Sequence, residues 1–134
     1  MNLLPARLLE LREHEGVSLF RFEALGRELL MIGLEPPRGL MAGAELRLGI
    51  KATHLILSRR LPEEMTLFNA LPVRCHAIDR GELLASVALV CEGHALEAIL
   101  PIPSLEKMGL EEGETLYALF QAAELSIVGM GDES

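Results

Sequence analysis

Lys51-Ala52-Thr53 place an ammonium, a small residue that leaves its backbone accessible, and a hydroxyl at three consecutive positions. Thr66 supplies a second hydroxyl and is followed directly by the main-chain amides of Leu67 and Phe68. Gln121-Ala122 adds a carboxamide and another small residue. N–H and O–H donors with one positive charge would suit a small anion wherever a fold made them converge, because turn amides form a nest and a lysine adds charge-assisted hydrogen bonds. Read singly, each residue also has a plainer role. Lys51 is a solvated cation on an edge strand, Thr66 opens a strand, and Gln121 is a polar strand residue.

Other chemistries fit less well. Cys75-His76 and Cys91-Glu92-Gly93-His94 contain zinc-type ligands, but their spacing is not that of a zinc finger. Buried cysteine commonly serves as a small hydrophobe, so no metal site is expected. His14 and His54 lack partners in the sequence and are expected to be exposed. No Ser/His/Asp arrangement has a recognisable local motif, and no G-x-x-x-x-G-K-[ST] phosphate loop is present. No catalytic residues are assigned, and no cofactor is expected.

The elements that must position these residues are written twice. Asn2-Leu3-Leu4-Pro5-Ala6-Arg7 recurs as Asn69-Ala70-Leu71-Pro72-Val73-Arg74. Gly26, Leu29 and Ile32 return as Gly93, Leu96 and Ile99 in the same register. Gly43, Leu46 and Lys51-Ala52 return as Gly113, Leu116 and Gln121-Ala122 after a shift of three residues. The repeat implies two copies of one small module, spanning 1–60 and 65–134 and joined by the polar, Pro-containing Arg59–Glu64. A module of about 60 residues buries little surface alone. The copies are therefore expected to pack on each other or on another chain.

Each copy reads as five short strands. In the first these are Leu4–Leu11, Val17–Phe22, Glu28–Ile32, Leu46–Ile50 and Leu55–Leu57; in the second, Leu71–Ile78, Ala85–Val90, Ala95–Leu100, Leu116–Phe120 and Leu125–Val128. A short helix is predicted over Pro103–Gly109, capped by Ser104 and ended by Gly109 in a left-handed turn. Its counterpart, Glu35-Pro36-Pro37-Arg38-Gly39, cannot be a regular helix. The expected fold is all-β: two tandem five-stranded Greek-key barrels of the oligonucleotide/oligosaccharide-binding type, with a helix in the second.

Composition narrows the partners. Half of the 134 residues are hydrophobic, aromatics make up 4%, and Trp is absent, which describes an aliphatic globular core. The net charge of −8 is uneven: residues 1–61 carry nine Lys/Arg against seven Asp/Glu, and residues 62–134 carry three against thirteen. Few aromatics and a negative balance remove the stacking platform and basic groove of a nucleic-acid binder. An anion site must then be local rather than the product of a diffuse field. Two cysteines and no basic, apolar leader predict a cytoplasmic setting.

Thr66-Leu67-Phe68-Asn69-Ala70-Leu71-Pro72 resembles the opening segment of the Mop (TOBE) family, which binds molybdate and tungstate. Gly43 through Leu55 resembles its closing strand, with a Lys-Ala step near the anion, and Leu105–Leu110 with Glu112-Gly113-Glu114 resembles its helix and turn. The likeness covers nearly the whole chain, twice. It implies an oxyanion site shared between modules or subunits, a homo-oligomer with a dimer as first choice, and association with transporter subunits. Within the family, the pairing is similar to the C-terminal region of a molybdate-importing ABC ATPase; a free-standing storage protein and a ligand-free dimerisation module are the alternatives. The resemblance assigns the anion to Lys51, Ala52, Thr53, Thr66, Leu67, Phe68, Gln121 and Ala122. Phe68 stands where several members have Arg, and Gln121 where the first copy has Lys51. A complete site would therefore combine Lys51 with Thr66 across modules.

Overall fold

A computed structural model describes residues 1–131; the last three residues expected in the second module, 132–134, lie outside the described residues. The elements are β1 (Asn2–His14), β2 (Val17–Ala24), β3 (Arg27–Gly33), β4 (Glu45–Ile50), β5 (Ile56–Ser58), β6 (Asn69–Arg80), β7 (Leu84–Cys91), β8 (His94–Pro101), α1 (Ile102–Met108), β9 (Thr115–Phe120) and β10 (Ser126–Met130). A single 3-10 turn precedes β5 (Ala52–His54) and another precedes β10 (Ala122–Glu124). All ten strands expected from the alternation are present, with ends moved by a few residues.

The strands form two five-stranded antiparallel sheets, ordered β10-β4-β1-β2-β3 and β5-β9-β6-β7-β8. Each sheet therefore has five strands, as expected, but the fifth comes from the other half of the chain. β5 leaves the first half to pair with β9, Ile56 opposite Leu119. β10 leaves the second half to pair with β4, Ser126 opposite Gly49. The two 3-10 turns are the points at which the chain crosses from one sheet to the other.

Side-chain alternation explains the strands. In β1, Asn2, Leu4, Ala6 and Leu8 point inward while Leu3, Pro5 and Arg7 face out. Pro5 is tolerated because β1 pairs with β4 over Asn2–Arg7 but with β2 only from Ala6 onward, so the missing N–H has no strand to serve. Pro72 repeats the solution: it pairs with Tyr117 of β9 and precedes the first β7 pair at Arg74. The β2–β3 and β7–β8 hairpins close on Leu25-Gly26 and Glu92-Gly93, all four at positive φ. These are tight two-residue turns that match strand twist.

One buried hydrophobic cluster runs through both halves, from Leu4, Phe20, Phe22 and Leu48 to Leu71, Val87, Leu89 and Phe120. The halves thus pack on each other, as their small size requires. Helix α1 differs from the sequence expectation at its start. Its N-cap is Pro101, with no side-chain cap bond, and Ser104 lies exposed inside the first turn. Pro103 has no N–H to satisfy, which removes part of the need for a hydroxyl cap. Gly109 ends the helix at φ 64 and donates its N–H to the Leu105 and Glu106 carbonyls. Among the described residues, no helix is long and apolar enough to cross a membrane.

Candidate functional site

β3 and β8 are the outer strands of their sheets, and each is met by an asparagine from the opposite half. Asn69 Nδ2 donates to the Leu30 carbonyl (2.9 Å), and the Leu30 N–H donates to Asn69 Oδ1 (2.7 Å). Asn2 treats Glu97 identically, at 2.9 and 2.8 Å. Both asparagines are buried. A carboxamide here imitates a short piece of strand, satisfying an edge that would otherwise be open. The result is two pseudo-equivalent seams between the halves.

At the seam beside Asn69, the segment Met65–Phe68 faces β3 and the turn beginning at Gln121. A concavity of about 460 Å³ lies between them, walled by Leu19, Leu30 and Ile32 on one side, Met65–Phe68 on another, and Gln121–Ala123 on the third. The structure thus brings Thr66, Leu67, Phe68, Gln121 and Ala122 together. Thr66 and Gln121 are exposed, and Phe68 is half exposed. The main-chain N–H of Gln121 is taken by Glu124 Oε1 (3.3 Å) in a local capping box. The Arg21 guanidinium lies 5.9 Å from the centre of the Phe68 ring. It is engaged by Glu28 at 2.6 Å and Glu10 at 3.8 Å, so little of its charge reaches the concavity unopposed.

Lys51, Ala52 and Thr53 do not line this concavity. They begin the other crossover turn, which packs against β8 at the seam beside Asn2. Lys51 is exposed in extended conformation, Ala52 is buried and Thr53 exposed. Within one chain, the Lys51 ammonium and the Thr66 hydroxyl therefore belong to different seams. The positions of β8 that repeat Leu30 and Ile32 are Glu97 and Ile99, and Ser86 donates its hydroxyl hydrogen to the Glu97 carboxylate. One seam is thus more apolar, and the other carries both a lysine and a glutamate.

His54 departs from the sequence expectation. It is only partly exposed, and its Nδ1 faces Glu124 Oε2 at 3.5 Å. No sequence signal pairs these residues except their equivalent places after Lys51 and Gln121. Asn2 and Asn69 were visible as a repeat, but their role depends on β3 and β8 being edges, which the sequence alone does not reveal. Cys75 and Cys91 are buried free thiols; desolvation is the main cause that pushes both above their usual pKa. Among the described residues, no three His, Cys, Asp or Glu side chains converge on a common point.

The two sheets, their exchanged strands and the asparagine-sealed seams define a double β-module with pseudo-equivalent halves. The chain is 34% identical over 88 residues to the molybdenum import ATP-binding protein ModC of Brucella abortus (strain 2308) and of Brucella suis biovar 1 (strain 1330). The match takes in 65% of this chain and 24% of each ModC, so the chain spans about a quarter of the curated relatives it matches. Its fold matches that of the cytoplasmic molybdate-binding protein ModG, solved with molybdate bound, at a TM-score of 0.86 over 94% of both chains and 21% identity. No family model matches the chain.

Proposed function

We propose that this chain is a cytoplasmic oxyanion-binding module for molybdate or tungstate, acting as the regulatory C-terminal part of a molybdate-import ABC ATPase. The observation that carries this reading is the near-complete fold correspondence with ModG, a protein crystallised with molybdate, in a chain whose sequence likeness falls on ModC. The sequence halves 1–60 and 65–134 are read as the two modules, with their last strands exchanged.

The chemistry is binding rather than catalysis. A dianion would be held by main-chain amides and hydroxyls at the crossover turns, with Lys51 supplying charge at one seam. Because one seam has the lysine and the other has Thr66 with the amides of Leu67 and Phe68, a complete donor set needs a second copy. A homodimer that sets the Lys51 turn of one copy against the Thr66 segment of its partner would provide it. Binding that favours one arrangement of subunits would then bias the transporter. Calorimetry with molybdate, tungstate and sulfate tests the proposal: heat for the first two is expected, and a folded protein silent to both would overturn it.

The apolar wall of the Phe68 concavity favours a second reading, a dimerisation module that has lost its ligand. Light scattering separates the two. A dimer indifferent to millimolar molybdate supports the second, and an assembly that responds to it supports the first.

A further inference from the structure

We propose that His54 and Glu124 tie the two crossover turns together, so that a disturbance at the Lys51 seam reaches the Gln121 seam. This rests on the reading of those seams as oxyanion sites. The two residues hold equivalent places in the two halves. The first turn begins at Lys51, whose carbonyl accepts the His54 N–H at 2.9 Å, and the second begins at Gln121, whose carbonyl accepts the Glu124 N–H at 3.0 Å. Each turn is therefore a closed loop, with the candidate anion contact at one end and the tie residue at the other.

Between the loops, His54 Nδ1 lies 3.5 Å from Glu124 Oε2, with side chains 36% and 28% exposed. Nδ1 itself is sealed from solvent and makes no hydrogen bond. A buried polar atom without a partner is costly, and the Glu124 carboxylate is the acceptor the geometry offers it. The other carboxylate oxygen, Oε1, accepts the Gln121 N–H at 3.3 Å. A polar path, open at the His54–Glu124 step, thus runs from the Lys51 carbonyl through His54 and Glu124 to the N–H of Gln121, in the turn that walls the second seam.

The hydrogen bond from Gln121 to Glu124 is long and the His54–Glu124 contact stops just short of one, so both change steeply with small displacements. A movement of a few tenths of an ångström at Lys51 would draw His54 toward or away from Glu124 and alter the grip of Glu124 on Gln121. The neighbours on β8 do not compete for the pair. His94 Nε2 is held by the Leu3 carbonyl at 2.7 Å, and Glu97 by Ser86. On the other side, Glu28 of β3 is engaged with Arg21.

The test uses the full chain and needs no ligand for its first two readings. Lys51→Ala is expected to shift the Gln121 and Glu124 amide resonances, and His54→Ala or Glu124→Gln to cut that shift to about half or less. His54→Ala and Glu124→Gln are expected to be non-additive in thermal midpoint by about 1–3 °C. His54→Gln replaces the alanine variant should that fail to fold. An undiminished Lys51→Ala shift, no shift at Gln121 in the parent chain, or additive midpoints would each overturn the tie. In the shared site of a dimer molybdate touches both turns directly, so adding it should move the amides of both turns in the parent and in the variants alike. No response to molybdate in any chain would sink the oxyanion reading, leaving the first two readings to judge the tie alone.

Discussion

Asn2 and Asn69 are buried at equivalent positions, and each closes a two-bond ring with the main chain of the opposite half, at Glu97 and Leu30 respectively. The seam is thus fastened by side chains imitating backbone. Truncating Asn69, only 1% exposed, would strand the Leu30 N–H and carbonyl in a region that water reaches poorly. Asn69→Ala is expected to cost about 2–4 kcal/mol, the penalty for orphaning buried partners. Urea denaturation measures it; a loss under about 1 kcal/mol would mean that water replaces the carboxamide.

Acid should loosen the exchanged strand β5. Just beyond its end, Arg59 grips both carboxylate oxygens of Glu114 at 2.6 and 3.1 Å, and also donates to the Met108 and Gly109 carbonyls at 2.8 and 3.1 Å. The hydrogen bond from Arg59, reinforced by the Glu111 N–H, lowers the Glu114 carboxyl from 4.5 to about 2. A depressed folded pKa stabilises above the unfolded value, and that contribution is lost as pH falls through the folded one. Urea midpoints should therefore decline from about pH 4.5 to about pH 2. In Glu114→Gln this part of the decline should be missing; an identical acid profile would discharge the clamp.

The succession of strands along each half is legible because alternation and the hairpin glycines are local signals. The exchange is not, because nothing local to Ile56–Ser58 or Ser126–Met130 says which sheet will receive them. The same limit explains the site. Thr66–Phe68 and Gln121–Ala122 were recognisable as donors from their residue types, and the fold brings them together. The resemblance groups Lys51 with Thr66 across modules; within one chain the crossover carries Lys51 to the other seam. His54 looked solitary because its partner is seventy positions away, at the same step of the repeat.

Gly49 should resist substitution because of what lies over it. A Cβ there would meet Met1 Sδ and Val128 Cγ1, each at 2.7 Å. The equivalent position holds Leu119, paired with Ile56, so strand exchange does not itself demand glycine. Met1 can swing aside, but Val128 is β-branched and stiff at χ1, so relief there requires the bulge of β10 to move. Gly49→Ala is expected to cost about 1–3 kcal/mol through overpacking and to speed amide exchange across Ser126–Met130. Unchanged exchange there would show that β10 is free to shift without loss.

The two seams make opposite predictions for oxyanion affinity. Lys51→Ala removes the cation from one and should weaken molybdate binding about tenfold if the anion sits there, the worth of one charge-assisted hydrogen bond. Phe68→Arg adds a cation to the other and should tighten binding there by a similar factor. Arg21, 5.9 Å from the ring, would not repel it strongly, since Glu28 and Glu10 already oppose that charge. Calorimetry on both variants decides the location. A loss with Lys51→Ala and no gain with Phe68→Arg assigns the anion to the Lys51 seam, and the reverse assigns it to the Phe68 concavity. Both effects together fit the shared site of a dimer, where the two surfaces meet. Neither effect would remove both seams from the oxyanion reading, since a dianion held at either turn must feel the gain or loss of a full charge within a few ångströms.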